Sequence, residues 1–206
     1  MRIEPRSKKC YIDDMKRVFI IHGWNGAPDI GWFQWLKKEL EAREFIVTVP
    51  QLPDPENPRI FNWIPTIAKV VGKADEQTYF VGHSLGCEAI ARYLESLPKG
   101  VEVGGVVFVA GFFKHLTGID ENGQETLVHW LATSPDLVKV ASHLPKSVAI
   151  FSDNDPYVPL DNQDDFKNIL HSEIIVEHSK SHYNEGAGFK ELPIVLEKLL
   201  ELAKDL

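Results

Sequence analysis

An open, mostly parallel α/β sheet of about six strands with helices on both faces is the fold class this sequence predicts. Three observations point to it. Short apolar runs rich in Val, Ile and Phe alternate along the chain with longer amphipathic stretches, the pattern of parallel strands buried on both sides by crossover helices. One such run breaks at Gly82-His83-Ser84-Leu85-Gly86 and passes straight into helix-favouring residues. The 206 residues, 44% hydrophobic and 25% charged, suffice for one well-buried domain and are few for two.

The elements follow in order. Lys16 to Ile21, "KRVFII", reads as a short buried strand, with charges followed by β-branched and aromatic residues. His22-Gly23-Trp24-Asn25-Gly26 ends it with two glycines. Trp32 to Ala42 spaces its apolar residues as an amphipathic helix does. Phe45 to Val49 is the second strand. "PQLPDPENPRIFNW" then carries four prolines and reads as an irregular loop. A helix is expected from near Arg59 to Val71, with Pro65 as its weak point. Thr78 to Val81 is the third strand and Cys87 to Leu97 the helix after it. Gly105 to Ala110, Ser147 to Phe151 and Glu173 to Val176 complete the strands; Asn162 to Leu170 and Leu192 to Ala203 complete the helices. Right-handed crossovers make such a sheet doubly wound.

With no internal repeat or linker, residues 1–206 read as a single domain. Residues 1–14 stand outside the core pattern as a leader. "MKRVFIIHG" would be a natural beginning, so either Met15 is the native start or the leader is an added arm. Residues 112–145 exceed a simple crossover and include the helix-like "ETLVHWLATSPDLVKVASHL". A small cap over a pocket and an ordinary crossover with an extra turn both fit.

Composition excludes several functions. The formal charge of -8 argues against nucleic acid, whose phosphates need clustered Lys and Arg. No run of about 18 apolar residues exists, so no membrane span is expected. The first residues lack the apolar core of a secretory signal, which leaves the cytoplasm as the expected location. Cys10 and Cys87 make no disulfide framework, and no CxxC or Cys/His cluster suggests a metal. No metal or organic cofactor is expected.

The glycine break carries chemistry. Gly-x-Ser-x-Gly alone is a weak pattern, but a strand before it and a helix after it place Ser84 on a sharp turn at the carboxyl end of the sheet. A serine hydroxyl needs a base, and the base, a histidine, needs a carboxylate to fix its tautomer. Both should lie in loops after later strands, in the order Ser, acid, His. Strand five ends in "FSDNDPYVP", where Asp153 and Asp155 are both placed to serve; strand six ends in "VEHSKSHYNEGAG", with His178 near the strand and His182 in the loop beyond. The oxyanion of acyl transfer needs two N–H donors. Leu85 follows the nucleophile, and the loop His22-Gly23-Trp24 offers the Trp24 amide. His22, His115, His129, His143 and His171 fall outside the places a base requires, and His83 is the variable residue of the motif.

"FIIHGWNG", the tryptophan-containing helix, the proline-rich loop, "FVGHSLGCEAIARYL", "DPYVP" and "SHYNEGAGF" in this order resemble the α/β-hydrolase superfamily. More narrowly, they resemble its small serine hydrolases related to retinoblastoma-binding protein 9 and bacterial esterases. The resemblance runs from about Met15 to the C-terminus. It implies a three-layer α/β-hydrolase fold and esterase-type cleavage of small acyl esters or thioesters. Ser84 would be the nucleophile and His182 the base. Asp155 would be the acid, because it alone fits Asp-x-x-(Val or Leu)-Pro. The partner motif Leu-x-Cys-x-Glu is not carried over: Leu85-Gly86-Cys87 runs directly into Glu88, one place early. A small acyl substrate is therefore expected and a protein partner is left open. The rival from another class is a binding or scaffold protein that keeps the fold without turnover.

Overall fold

A computed structural model describes residues 15–204; the leader 1–14 and Cys10 lie outside the described residues. Six strands form one parallel sheet: β1 (Arg17–Ile21), β2 (Ile46–Thr48), β3 (Thr78–His83), β4 (Gly105–Val109), β5 (Ser147–Ser152) and β6 (Glu173–Glu177), in the order β2-β1-β3-β4-β5-β6. The order reverses at β1, so the sheet is doubly wound. β3 lies at its centre, with Phe80 paired to Phe19 on one side and to Val106 on the other.

The apolar runs are explained by two cores. Successive side chains of a strand point to opposite faces. Phe19, Ile21, Phe80, Phe108 and Phe151 enter one core; Val18, Ile20, Val81, Val107 and Ile150 enter the other. The first core is closed by α2 (Ile60–Val71), α3 (Leu85–Glu95), α4 (Glu121–Leu131), α5 (Leu137–Ala141) and α6 (Gln163–Asn168). The second is closed by α1 (Phe33–Glu41) and α7 (Pro193–Leu202). β3 is buried along its whole length.

Two expectations needed correction, while the helix expected from near Arg59 to Val71 is present. The helix after Ser84 begins at Leu85, two residues earlier than its apolar pattern suggests, because the chain turns at Ser84 itself. Pro65 does not interrupt α2. Its missing N–H falls on the exposed side, where water can satisfy the carbonyl one turn back. The helix-like run 125–144 is two helices. Pro135 ends the continuity, and Asp136 starts α5 by accepting the Lys139 N–H at 3.0 Å. Asp120 caps α4 likewise, from the Gly123 N–H at 2.8 Å.

Candidate active site

The break between β3 and α3 is built by close approach. Ser84 has φ +54° and ψ -123°, a conformation that costs a non-glycine residue strain. The neighbouring glycines are forced by packing. A Cβ on Gly86 would lie 2.2 Å from the Ile21 carbonyl oxygen, and one on Gly82 would lie 2.9 Å from Cys87 Cα. α3 therefore presses its first turn against the end of β1, and Ser84 projects from the carboxyl edge of the sheet. Its N–H is held by Val109 O at 2.9 Å.

The loop after β1 lies over that turn. A Cβ on Gly23 would meet His83 O and Ser84 Cβ at 3.0 Å and the Leu85 nitrogen at 3.5 Å. The loop is tied down from behind. Leu52 N–H donates to His22 Nε2 at 3.2 Å, which leaves the His22 proton on Nδ1 to meet Gly23 O at 2.9 Å. Burial lowers the pKa of His22, consistent with this neutral ring. The proline-rich loop supplies further anchors. Its carbonyls at Glu56, Pro53 and Pro58 accept the indole N–H groups of Trp24, Trp63 and Trp130 at 2.8–2.9 Å. These prolines leave carbonyls free of strand or helix pairing, and three tryptophans use them.

The loops after β5 and β6 meet residue against residue. Ser179 N–H donates to Asp153 Oδ1 (2.8 Å), Lys180 N–H to Ser152 Oγ (2.9 Å) and Ser181 N–H to Asn154 Oδ1 (2.7 Å). His182 Nδ1 lies 2.8 Å from Asp155 Oδ2. Four consecutive side chains thus hold four consecutive residues. Asp155 Oδ1 accepts the N–H groups of Tyr157 (2.9 Å) and Val158 (3.1 Å), so both of its oxygens are engaged. Ionised Asp155 can only accept, which places the His182 proton on Nδ1 and leaves Nε2 bare. The two side chains are 9% and 2% exposed. Ser181 and Tyr183 flank His182 with φ of +51° and +53°, a geometry the surrounding bonds must enforce.

His83 completes the hold. Its Nε2 lies 2.8 Å from the His182 carbonyl oxygen, so it donates there. Burial, and the His182 ring 5.0 Å away, push its pKa down to about 3, so it stays neutral. On the next residue, Trp32 Nε1–H donates to Tyr183 O at 2.9 Å.

The structure therefore brings His182 to Asp155, whereas Asp153 pairs with His178, whose side chain is exposed. Ser84, Leu85, Trp24 and His182 line one cavity of about 360 Å3 with Leu116 and Leu127. The Ser84 hydroxyl has no hydrogen-bond partner among the described residues, His182 included. Nor do they hold a group of three His, Cys, Asp or Glu able to bind a metal. No helix of theirs is long and apolar enough to cross a membrane. Reading by sequence did not single out His83, His22, Ser152 or Asn154, since each acts on a residue far along the chain. The carbonyl-rich, proline-broken loop was the one visible hint.

Comparison with known proteins gives the same answer as the fold. Residues 18–201 match the serine hydrolase family. The Bacillus subtilis hydrolase YdeN is 33% identical over 89% of this chain and 94% of its own, and its crystal structure superposes with a TM-score of 0.84, covering 91% and 98% of the two chains. The rat serine hydrolase RBBP9 is 27% identical over 89% of this chain and 95% of its own. Est1E of Butyrivibrio proteoclasticus, 14% identical with a TM-score of 0.68 over 90% and 87%, shares the fold. The chain belongs to the serine hydrolase family, on an α/β-hydrolase fold.

Proposed function

We propose that the protein cleaves small acyl esters or thioesters through a Ser84-His182-Asp155 triad and an acyl-enzyme. The observation that carries this reading is the buried His182–Asp155 bond on the cavity that also holds Ser84. Rotation of the free Ser84 hydroxyl toward Nε2 completes the relay, and such bonds often tighten only with substrate present. His182 takes the Ser84 proton as Oγ attacks the carbonyl carbon. The oxyanion faces the Leu85 and Trp24 amides, each such donor contributing roughly 2.7–4 kcal/mol in the transition state. His182 then protonates the leaving group. Water, deprotonated by the same ring, releases the acid and restores Ser84.

A cavity of about 360 Å3 suits a small ligand. In the same reading the chain is a single domain and residues 112–145 form a small cap, with Leu116 and Leu127 over the pocket. A cytoplasmic site of action belongs to the reading too, in keeping with the buried free thiol of Cys87. The test is turnover of p-nitrophenyl acetate: Ser84→Ala and Asp155→Asn should each lower kcat by roughly 10⁴. Full activity in either variant would refute the triad.

A further inference from the structure

Beside the Ser84 cavity runs a second depression of about 530 Å3, between residues 114–119 and one face of α4. The two adjoin: Leu116, Gly118, Ile119 and Leu127 line both. Along α4, Leu127, Val128 and Leu131 form an apolar stripe facing the groove. Folding does not need that whole stripe, since Leu127 is buried while Val128 remains 48% exposed. From this adjacency we infer that the groove takes the alkyl chain of a medium-length fatty acyl ester or thioester, whose carbonyl lies at Ser84. The inference rests on the serine hydrolase reading above and adds the substrate class.

The polar groups at the far end support a neutral chain rather than an ionised or peptide one. Lys114 is already engaged: its ammonium donates to Asp161 O at 3.2 Å and lies 3.5 Å from the Asp165 carboxylate. His115 stands 3.6 Å from Asp161 Oδ1. The other polar side chains of the groove are engaged as well, Thr117 with Pro156 O and Gln124 with Ile119 O, so beside its apolar residues each polar side chain lining it already has a protein partner. Alkyl burial there begins before the chemical step and persists through it, so it should lower KM more than it raises kcat.

The test is a p-nitrophenyl ester series from acetate to decanoate, read as the ratio of kcat/KM for decanoate to that for acetate. The native protein should give a ratio of about ten or more. Val128→Trp, which fills the groove, and Val128→Glu, which puts charge into it, should both collapse the ratio toward one through the KM for decanoate. Val138→Trp, at a still more exposed valine on α5 outside the groove, should keep the native ratio. A native ratio at or below one, or a ratio unchanged in both Val128 variants, overturns the assignment while leaving the hydrolase reading intact. No turnover of any ester, with Ser84 unlabelled by a fluorophosphonate, overturns the hydrolase reading and the groove with it.

Discussion

At the scale of single residues, the site depends on where protons are held. Asp155 fixes the Nδ1 proton of His182, and His83 fixes the backbone of the same residue. His83 does not line the Ser84 cavity and holds the His182 carbonyl instead. His83→Ala should lower kcat about tenfold with KM little changed, since it leaves a buried carbonyl unpaired and a base free to shift. His83→Gln, whose amide can donate in the same place, should recover most of that loss; failure of Gln to recover any would contradict the positioning role. The two aspartates separate in the same way. Asp155→Asn should all but abolish fluorophosphonate labelling, and Asp153→Asn should leave it within about threefold of native. Equal losses, or the reverse order, would sink the assignment. The serine, the glycines and both Asp–His candidates were legible in the sequence, because a turn between a strand and a helix leaves a local mark. The hold of His83 on His182 was not, because it spans 99 residues and depends on the packing of two loops.

At the scale of elements, glycine placement and one buried ion pair set the geometry. Gly86→Ala would drive a methyl into the Ile21 carbonyl at 2.2 Å. It should cost about 1–3 kcal/mol in denaturant unfolding and slow acylation, as β1 and α3 are pushed apart. Arg92 on α3 pairs with Glu88 at 2.7 Å and donates to the carbonyls of Trp130 and Thr133, so it ties down the end of α4. The pair is nearly buried, and desolvation holds the Glu88 carboxyl up at about 8 despite Arg92. Arg92→Ala should therefore destabilise the fold by about 1–3 kcal/mol through the hydrogen bonds lost to Glu88 and to the Trp130 and Thr133 carbonyls, because Glu88 then takes up a proton rather than remaining a buried bare charge, and Glu88→Gln added to it should change little further. Unchanged unfolding midpoints would show that α4 does not depend on this tie. Strands with two apolar faces, such as Val18 to Ile21, were plain from composition. The early start of α3 and the split at Pro135 were not, because apolar spacing continues across both boundaries while the backbone does not.

At the scale of the whole molecule, every proposed catalytic group sits at the carboxyl edge of one parallel sheet, with a separate core on each face. Neutral histidines are part of that arrangement. His83 refuses a proton in the folded state until about pH 3, whereas the unfolded chain accepts one near pH 6.5. Stability should therefore fall as pH drops from about 6.5 toward 3, because the unfolded state then binds more protons. Denaturant midpoints at pH 7, 5 and 4 should fall less steeply for His83→Gln than for the native protein; parallel slopes would show that His83 contributes nothing to this limb. In the proposed mechanism the hydroxyl at position 84 becomes reactive only through the imidazole at 182. Intact-mass and peptide mapping after fluorophosphonate treatment tests it directly. One adduct on Ser84 of the native protein, absent from His182→Ala, is the expected result. An adduct on another residue, or equal labelling of both proteins, would contradict it.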